Sequence, residues 1–231
     1  MKKYTFIFII IILNSTFVFS QSNTDSLKFL LKTLNEEKIA TVLNELASID
    51  AEYYPDSSLV FATQALNLAE KYKIKNETAE AHRQIGRCLI FLGKYDSALI
   101  SLEKAIKLFE ELENYEGLAN CKKNLGRLYE NQYDYNKALE YYFESLKIFE
   151  SNNLKKGVAE VSQDIGYVYI YTQNFENALN YYNNALKIFE ELKENYSISI
   201  VYNNIGITYD SMGETDKAIE YYNKSIEINQ S

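Results

Sequence analysis

An apolar residue followed by glycine recurs every 40 residues, at Ile85-Gly86, Leu125-Gly126, Ile165-Gly166 and Ile205-Gly206. Twelve residues after each glycine stands an alanine: Ala98, Ala138, Ala178 and Ala218. Seven further on is a small residue: Ala105, Ser145, Ala185 or Ser225. A fixed period of this length marks stacked supersecondary units, each unable to bury its apolar face alone. The functional question therefore moves from a catalytic pocket to what binds the surface of the stack.

The chain is read as all-helical. It has one proline, Pro55, only eight glycines and 47% apolar residues, so helix breakers are few and a core is within reach. In the third unit a helix A is expected from about Glu160 to Tyr171, with Val161, Ile165, Val168 and Tyr169 on one face. A turn at Gln173-Asn174 follows. Helix B is expected over Phe175 to Leu192, burying Ala178, Tyr182, Ala185, Leu186 and Phe189 at the amphipathic spacing. Asn195 is expected to close the unit in a left-handed C-cap. Gly166 and Ala178 are read as the place where the two helices approach most closely, with Tyr182 and Phe189 filling wider gaps.

The segment Leu125-Gly126-Arg127-Leu128-Tyr129, followed by Ala138, Tyr142 and Ser145, resembles the tetratricopeptide repeat. Ile165 to Ala185 and Ile205 to Ser225 match similarly. The first copy departs with Leu89 and Leu102 at aromatic positions, and the last has Thr215 where others have Tyr95, Tyr135 and Phe175. The family usually ends its shorter unit with a proline. Here Glu110, Glu150 and Glu190 stand there, so helix B runs on. The resemblance implies a right-handed superhelical solenoid of antiparallel helix pairs. Its divisions are expected at 79–118, 119–158, 159–198 and 199–231. Residues 39–78 read as a degenerate repeat with Leu46 in the glycine's place. A preceding helix over 24–36 completes an N-terminal cap spanning 21–78.

Lys2 and Lys3, the apolar run Phe6 to Leu13, and Ser20 before Gln21 form a signal-peptide pattern over 1–20. The unbroken run is too short for a spanning helix, which needs about 20 apolar residues. Cleavage is expected, an export to the periplasm or beyond, with no membrane span left in the mature chain. At the other end, the last helix B stops near Ile228 with no polar cap after it. A partner, a second copy of the chain or a lost C-terminal portion is one expectation. The other is that Lys217, Glu220, Lys224 and Glu227 make this helix polar enough. Cys88 and Cys121 fall on the first helices of neighbouring repeats, offset by seven helical positions or about 10 Å. A disulfide needs Cα atoms within roughly 7 Å, so two free buried thiols are expected.

The net charge of −8 argues against nucleic acid as the main partner. With one histidine, His82, and no phosphate loop or paired-cysteine motif, neither catalysis, a metal nor a cofactor is expected. The chain has only three arginines among its 24 basic residues: Arg83, Arg87 and Arg127. All lie on helix A. Arg83 and Arg87 are i,i+4 neighbours, and Lys123 and Arg127 repeat those positions. The resemblance implies that helix A lines a concave groove facing peptides. Gln163 and Tyr167, then Asn203 and Ile207, continue the stripe. The expected ligand is a peptide or protein with an acidic segment or free carboxylate. The alternative is that Glu80, Glu130 and similar neighbours pair with these cations.

The sequence is read first as that of an exported interaction scaffold. An orphan or truncated extracytoplasmic sensor region, similar to those of bacterial histidine kinases, is the second. A glycan-binding surface using Tyr141-Tyr142, Tyr181-Tyr182 and Tyr221-Tyr222 is the third. There the second tyrosine of each pair is read as core and the first as packing between repeats.

Overall fold

A computed structural model describes residues 36–49 and 51–230. The expected signal peptide and nearly all of the helix expected over 24–36 lie outside them. The described residues form only helices and their links. These are α1 (Glu36–Ile49), α2 (Pro55–Lys71), α3 (Lys75–Phe91), α4 (Tyr95–Glu111) and α5 (Tyr115–Asn131). They continue as α6 (Tyr135–Ser151), α7 (Lys155–Tyr171), α8 (Phe175–Leu192), α9 (Asn195–Ser211) and α10 (Thr215–Gln230). The chain divides into two compact units, ending and beginning at Ser101 and Leu102 within α4.

The period of the helices is set by their ends. Lys73, Gly93, Glu113, Tyr133, Asn153, Gln173, Lys193 and Gly213 all have positive φ, one every 20 residues. Each sits in a Schellman motif. After α3, Gly93 N–H donates to Ile90 O at 2.9 Å and Lys94 N–H to Leu89 O at 2.8 Å. The same Lys94 then accepts from Ala98 N–H at 3.0 Å, starting α4. One residue thus closes a helix and opens the next. The alanine that marks every repeat is the first residue to donate an α-helical bond in helix B. Asn114, Asp134 and Asn174 add side-chain caps, accepting from Gly117, Lys137 and Asn177 N–H. Pro55 fits the first turn of α2, where its missing N–H has no partner to lose.

Two expectations at helix ends are corrected. Helix A of the third unit begins at Lys155, not near Glu160. Lys155-Lys156-Gly157 has the composition of a loop, but Gly157 packs beneath the ring of Phe149 and Val158 is buried, and that burial prevails over weak local propensity. Asn195 is not a left-handed cap. It is the first residue of α9, and the left-handed residue is Lys193, because the link spans only Lys193 and Glu194.

In the first unit, α1, α2 and α3 bury Leu43, Leu46, Phe61, Ala62, Ala65 and Ala81 together. Leu46 takes the glycine's place as a core side chain. In the second unit, one cluster joins Tyr142, Phe149, Val161, Ile165 and Val168, and the next joins Tyr182, Phe189, Ile198, Val201 and Ile205.

The role of the repeated glycine also differs from expectation. A Cβ on Gly126 would meet the ring of Tyr142 at 2.5 Å, on Gly166 that of Tyr182 at 2.8 Å, and on Gly206 that of Tyr222 at 2.6 Å. The glycine makes room for a tyrosine of helix B rather than for the alanine. Tyr142 and Tyr182 therefore fill the closest approach, not a wider gap. Where the small position is serine, its hydroxyl is satisfied: Ser145 Oγ donates to Ala119 O and Ser225 Oγ to Ser199 O, each at 2.8 Å. The first tyrosine of each pair stacks inside its own repeat, Tyr141 on Tyr129, Tyr181 on Tyr169 and Tyr221 on Tyr209, with centroids 5.4, 5.7 and 5.5 Å apart. Tyr181 also reaches the preceding helix B, 6.1 Å from Phe143, and Tyr221 packs against the cluster that includes Ala185 and Phe189. Cys88 and Cys121 are buried and form no disulfide.

Candidate partner-binding face

Arg83 and Arg87 lie on α3 in the first unit. Arg83 grips Glu80 with two hydrogen bonds, Nε to Oε2 at 2.8 Å and Nη2 to Oε1 at 2.5 Å. Gln84 adds a third at 2.8 Å. Burial works to raise the Glu80 carboxyl, yet Arg83, Gln84 and Arg87 together hold it below its ordinary value. Arg87 donates to Ser48 O at 2.9 Å and lies 6.0 Å from the Phe91 ring. It thus binds the last turn of α1, where a helix favours a cation.

Lys123, Arg127, Gln163, Tyr167 and Asn203 lie in the second unit, on α5, α7 and α9, which touch in that order. Lys123 Nζ meets Glu160 Oε2 at 2.5 Å, and Arg127 Nη2 meets Asp164 Oδ1 at 2.9 Å. Both bonds tie α5 to α7. The expected cationic stripe is therefore interleaved with carboxylates here, as the alternative reading anticipated. Glu160 and Asp164 are partners across the helices, and Glu130 accepts from the Tyr142 hydroxyl at 2.6 Å. Burial, then Asp164 and Glu130, push that hydroxyl far above the usual range for tyrosine.

Farther along, the face changes character. Tyr167 and Tyr171 share a hydroxyl–hydroxyl hydrogen bond of 2.9 Å. Tyr171 also stacks against Tyr135 at 5.8 Å. Gln163 is half-buried and Asn203 exposed, 40 residues apart at the register of Lys123, and neither side chain makes a hydrogen bond among the described residues. Ile207 beside them is 40% exposed.

Sequence reasoning missed Glu160, Asp164 and Tyr171. A usable signal exists, since both ion pairs join residues 37 apart. In a 40-residue period that offset lands one helical turn earlier on the next helix A, but it becomes a signal only once the stacking is known. No group of three or more His, Cys, Asp and Glu among the described residues is placed to hold a metal. No described helix is long and apolar enough to cross a membrane.

A tetratricopeptide-repeat family profile matches residues 77–151 and 158–231. The chain belongs to the tetratricopeptide repeat family. No curated protein matches it. Among solved structures it is similar to BtubC (BKLC) from P. vanneervenii, at 20% identity and TM-score 0.65, over 89% of this chain and 86% of that one. It also resembles a Rap protein complexed with competence and sporulation factor, at 16% identity and TM-score 0.67, over 87% of this chain and 66% of that one. Aspartyl phosphate phosphatase F from Bacillus subtilis is similar at 18% identity and TM-score 0.68, over 97% of this chain and 60% of that one. The tetratricopeptide chain thus spans less than two thirds of both of these chains, and at such identities the likeness is one of fold.

Proposed function

We propose that this chain is a protein-interaction scaffold. Its α5, α7 and α9 face takes an extended segment of a partner, and it performs no catalysis. The observation that carries this is the pair Gln163 and Asn203. Each side chain holds a donor and an acceptor, stands on a successive helix A at one register, and is committed to nothing within the described residues. An extended peptide backbone offers the complementary pattern, and Ile207 and Tyr171 beside them offer apolar contact. The Rap protein bound to competence and sporulation factor supports the reading by fold alone.

An acidic segment on the partner would reach Lys123 and Arg127 by exchanging with Glu160 and Asp164. Partly exposed ion pairs contribute roughly 0–1 kcal/mol, so such an exchange is nearly neutral and adds selectivity more than affinity. Export follows from the N-terminal pattern and is tested by N-terminal sequencing of the secreted or periplasmic product, expected to begin at Gln21. Self-association through α10 would use Ile219 and Ile226, each 53% exposed. Sedimentation at rising concentration tests it.

The deciding experiment is capture of partners from extracytoplasmic extract by the chain from Gln21, beside a Gln163→Ala/Asn203→Ala variant with an unchanged melting curve. A partner lost with the variant supports the face. Partners held equally by both overturn it.

A further inference from the structure

Two of the four stacked tyrosine pairs of the second unit carry lysines of the chain itself, one over each ring. Where Tyr129 stacks on Tyr141, Lys137 lies 4.9 Å from the first ring centre and Lys122 5.6 Å from the second. Where Tyr209 stacks on Tyr221, Lys217 and Lys224 lie at 5.0 and 4.4 Å. An ammonium over an aromatic face is held by the ring quadrupole.

Among the described residues the pair Tyr169 and Tyr181 carries none, and neither does a larger group of rings. Tyr133, Tyr135, Tyr171 and Tyr167 form a chain of contacts, with successive centroids 6.5, 5.8 and 4.8 Å apart. No lysine or arginine among the described residues lies over any of the four. Three of them are open to a visitor: Tyr133 is 78% exposed, Tyr171 53% and Tyr167 40%.

On α5 and α7, Lys123 pairs with Glu160 and Arg127 with Asp164, and Glu130 adds a further carboxylate. Burial raises the Tyr135 and Tyr167 hydroxyls, neighbouring tyrosines raise them further, and Glu130 adds to both, which places its carboxylate beside the cluster. Behind it, the ring of Tyr182 lies against Gly166, the residue before Tyr167. The Tyr182 hydroxyl is fully buried and has no hydrogen-bond partner. In the preceding repeat Tyr142 donates to Glu130, but the equivalent of Glu130 forty residues on is Ile170.

We propose that the cluster of Tyr133, Tyr135, Tyr167 and Tyr171 receives a lysine or arginine side chain from a partner peptide. The incoming cation makes the contact that the chain's own lysines make on the neighbouring rings, and the Glu130 carboxylate beside it favours its charge. The inference rests on reading this face as partner-binding and fixes the sign of charge it takes at its tyrosine end.

The test uses the full mature chain and fluorescein-labelled short peptides of matched apolar content. The peptides differ only in carrying several lysines and arginines, several glutamates, or several glutamines. Binding is read by anisotropy. The basic peptides should bind tightest and weaken about tenfold with Tyr167→Leu/Tyr171→Leu, two ring faces being removed. Tyr171→Phe, which keeps the face, should bind like the parent. Tyr196→Leu, at an exposed tyrosine elsewhere on α9, should change nothing. Equal or tighter binding of the glutamate or glutamine peptides overturns the cation site while leaving the face intact. So does basic binding that survives the leucine pair. If none of the peptides binds, both readings fall. Circular dichroism melts of each variant keep a folding defect from being taken for a lost contact.

Discussion

At the scale of single residues, the glycines fall into two physical classes that substitution separates. Gly126 sits against the Tyr142 ring in ordinary helix, so Gly126→Ala forces 2.5 Å contacts and is expected to destabilise by about 1–3 kcal/mol. Combining it with Tyr142→Leu should recover part of the loss, since Leu102 already fills that position in the preceding repeat. A denaturant double-mutant cycle measures the coupling. Gly213 has open space around its absent Cβ but φ +79°, so Gly213→Ala acts through backbone strain alone, about 1 kcal/mol, with no partner able to rescue it. Ionisation belongs to the same scale. Glu80 has a depressed carboxyl, so its contribution is present at neutral pH and is lost as pH falls through its folded value. Glu80→Gln should destabilise by about 1–2 kcal/mol at pH 7 and converge with the parent chain in acid. A series of urea melts across pH reads this out, and a constant difference would contradict it. Burial pushes the Cys88 thiol up to about 11. It should therefore stay silent to a thiol reagent at neutral pH until the chain is unfolded.

At the scale of the element, the link after each helix decides the period. Six of the eight left-handed residues are not glycine. Gln173→Gly removes the steric cost of αL but adds entropy to the unfolded chain, a net gain of up to about 1 kcal/mol. The check is a rise in the urea midpoint, with no rise for the same change at Gln132, the αR-side neighbour of Tyr133. This also explains what sequence could and could not reveal. The extent of α8 was legible because its apolar spacing runs unbroken from the turn at Gln173-Asn174 to Leu192. The start of α7 was not, because lysines and a glycine at 155–157 carry loop composition and are helical only through Phe149 and Val158 above them. The left-handed positions were hidden because lysine, glutamate, tyrosine, asparagine and glutamine share one backbone role there.

At the scale of the whole molecule, a repeat chain stores stability in neighbouring contacts rather than in one centre. Ile165→Ala, at a fully buried site in one cluster of the second unit, should cost about 2–5 kcal/mol locally. Hydrogen exchange should accelerate in α7 and its neighbours while α1 and α2 keep their protection. Uniform acceleration would show a single cooperative block instead. The repeat architecture was legible from the start because a 40-residue period survives any choice of surface residue. The candidate face was legible only in part. Its residues were found by register, but their charge state depends on which side chain of the next helix meets them, and that offset is a property of packing.

The three-residue links carry a mechanical consequence. A residue that ends one helix while starting the next leaves no slack in the chain, so none of these links can serve as a hinge. Accommodation of a guest must be spread as small shear between many helix faces, in the manner of a leaf spring. Such a body resists local bending yet yields softly along its length. Adding a glycine to one link should disturb binding far more than its distance from the guest would suggest.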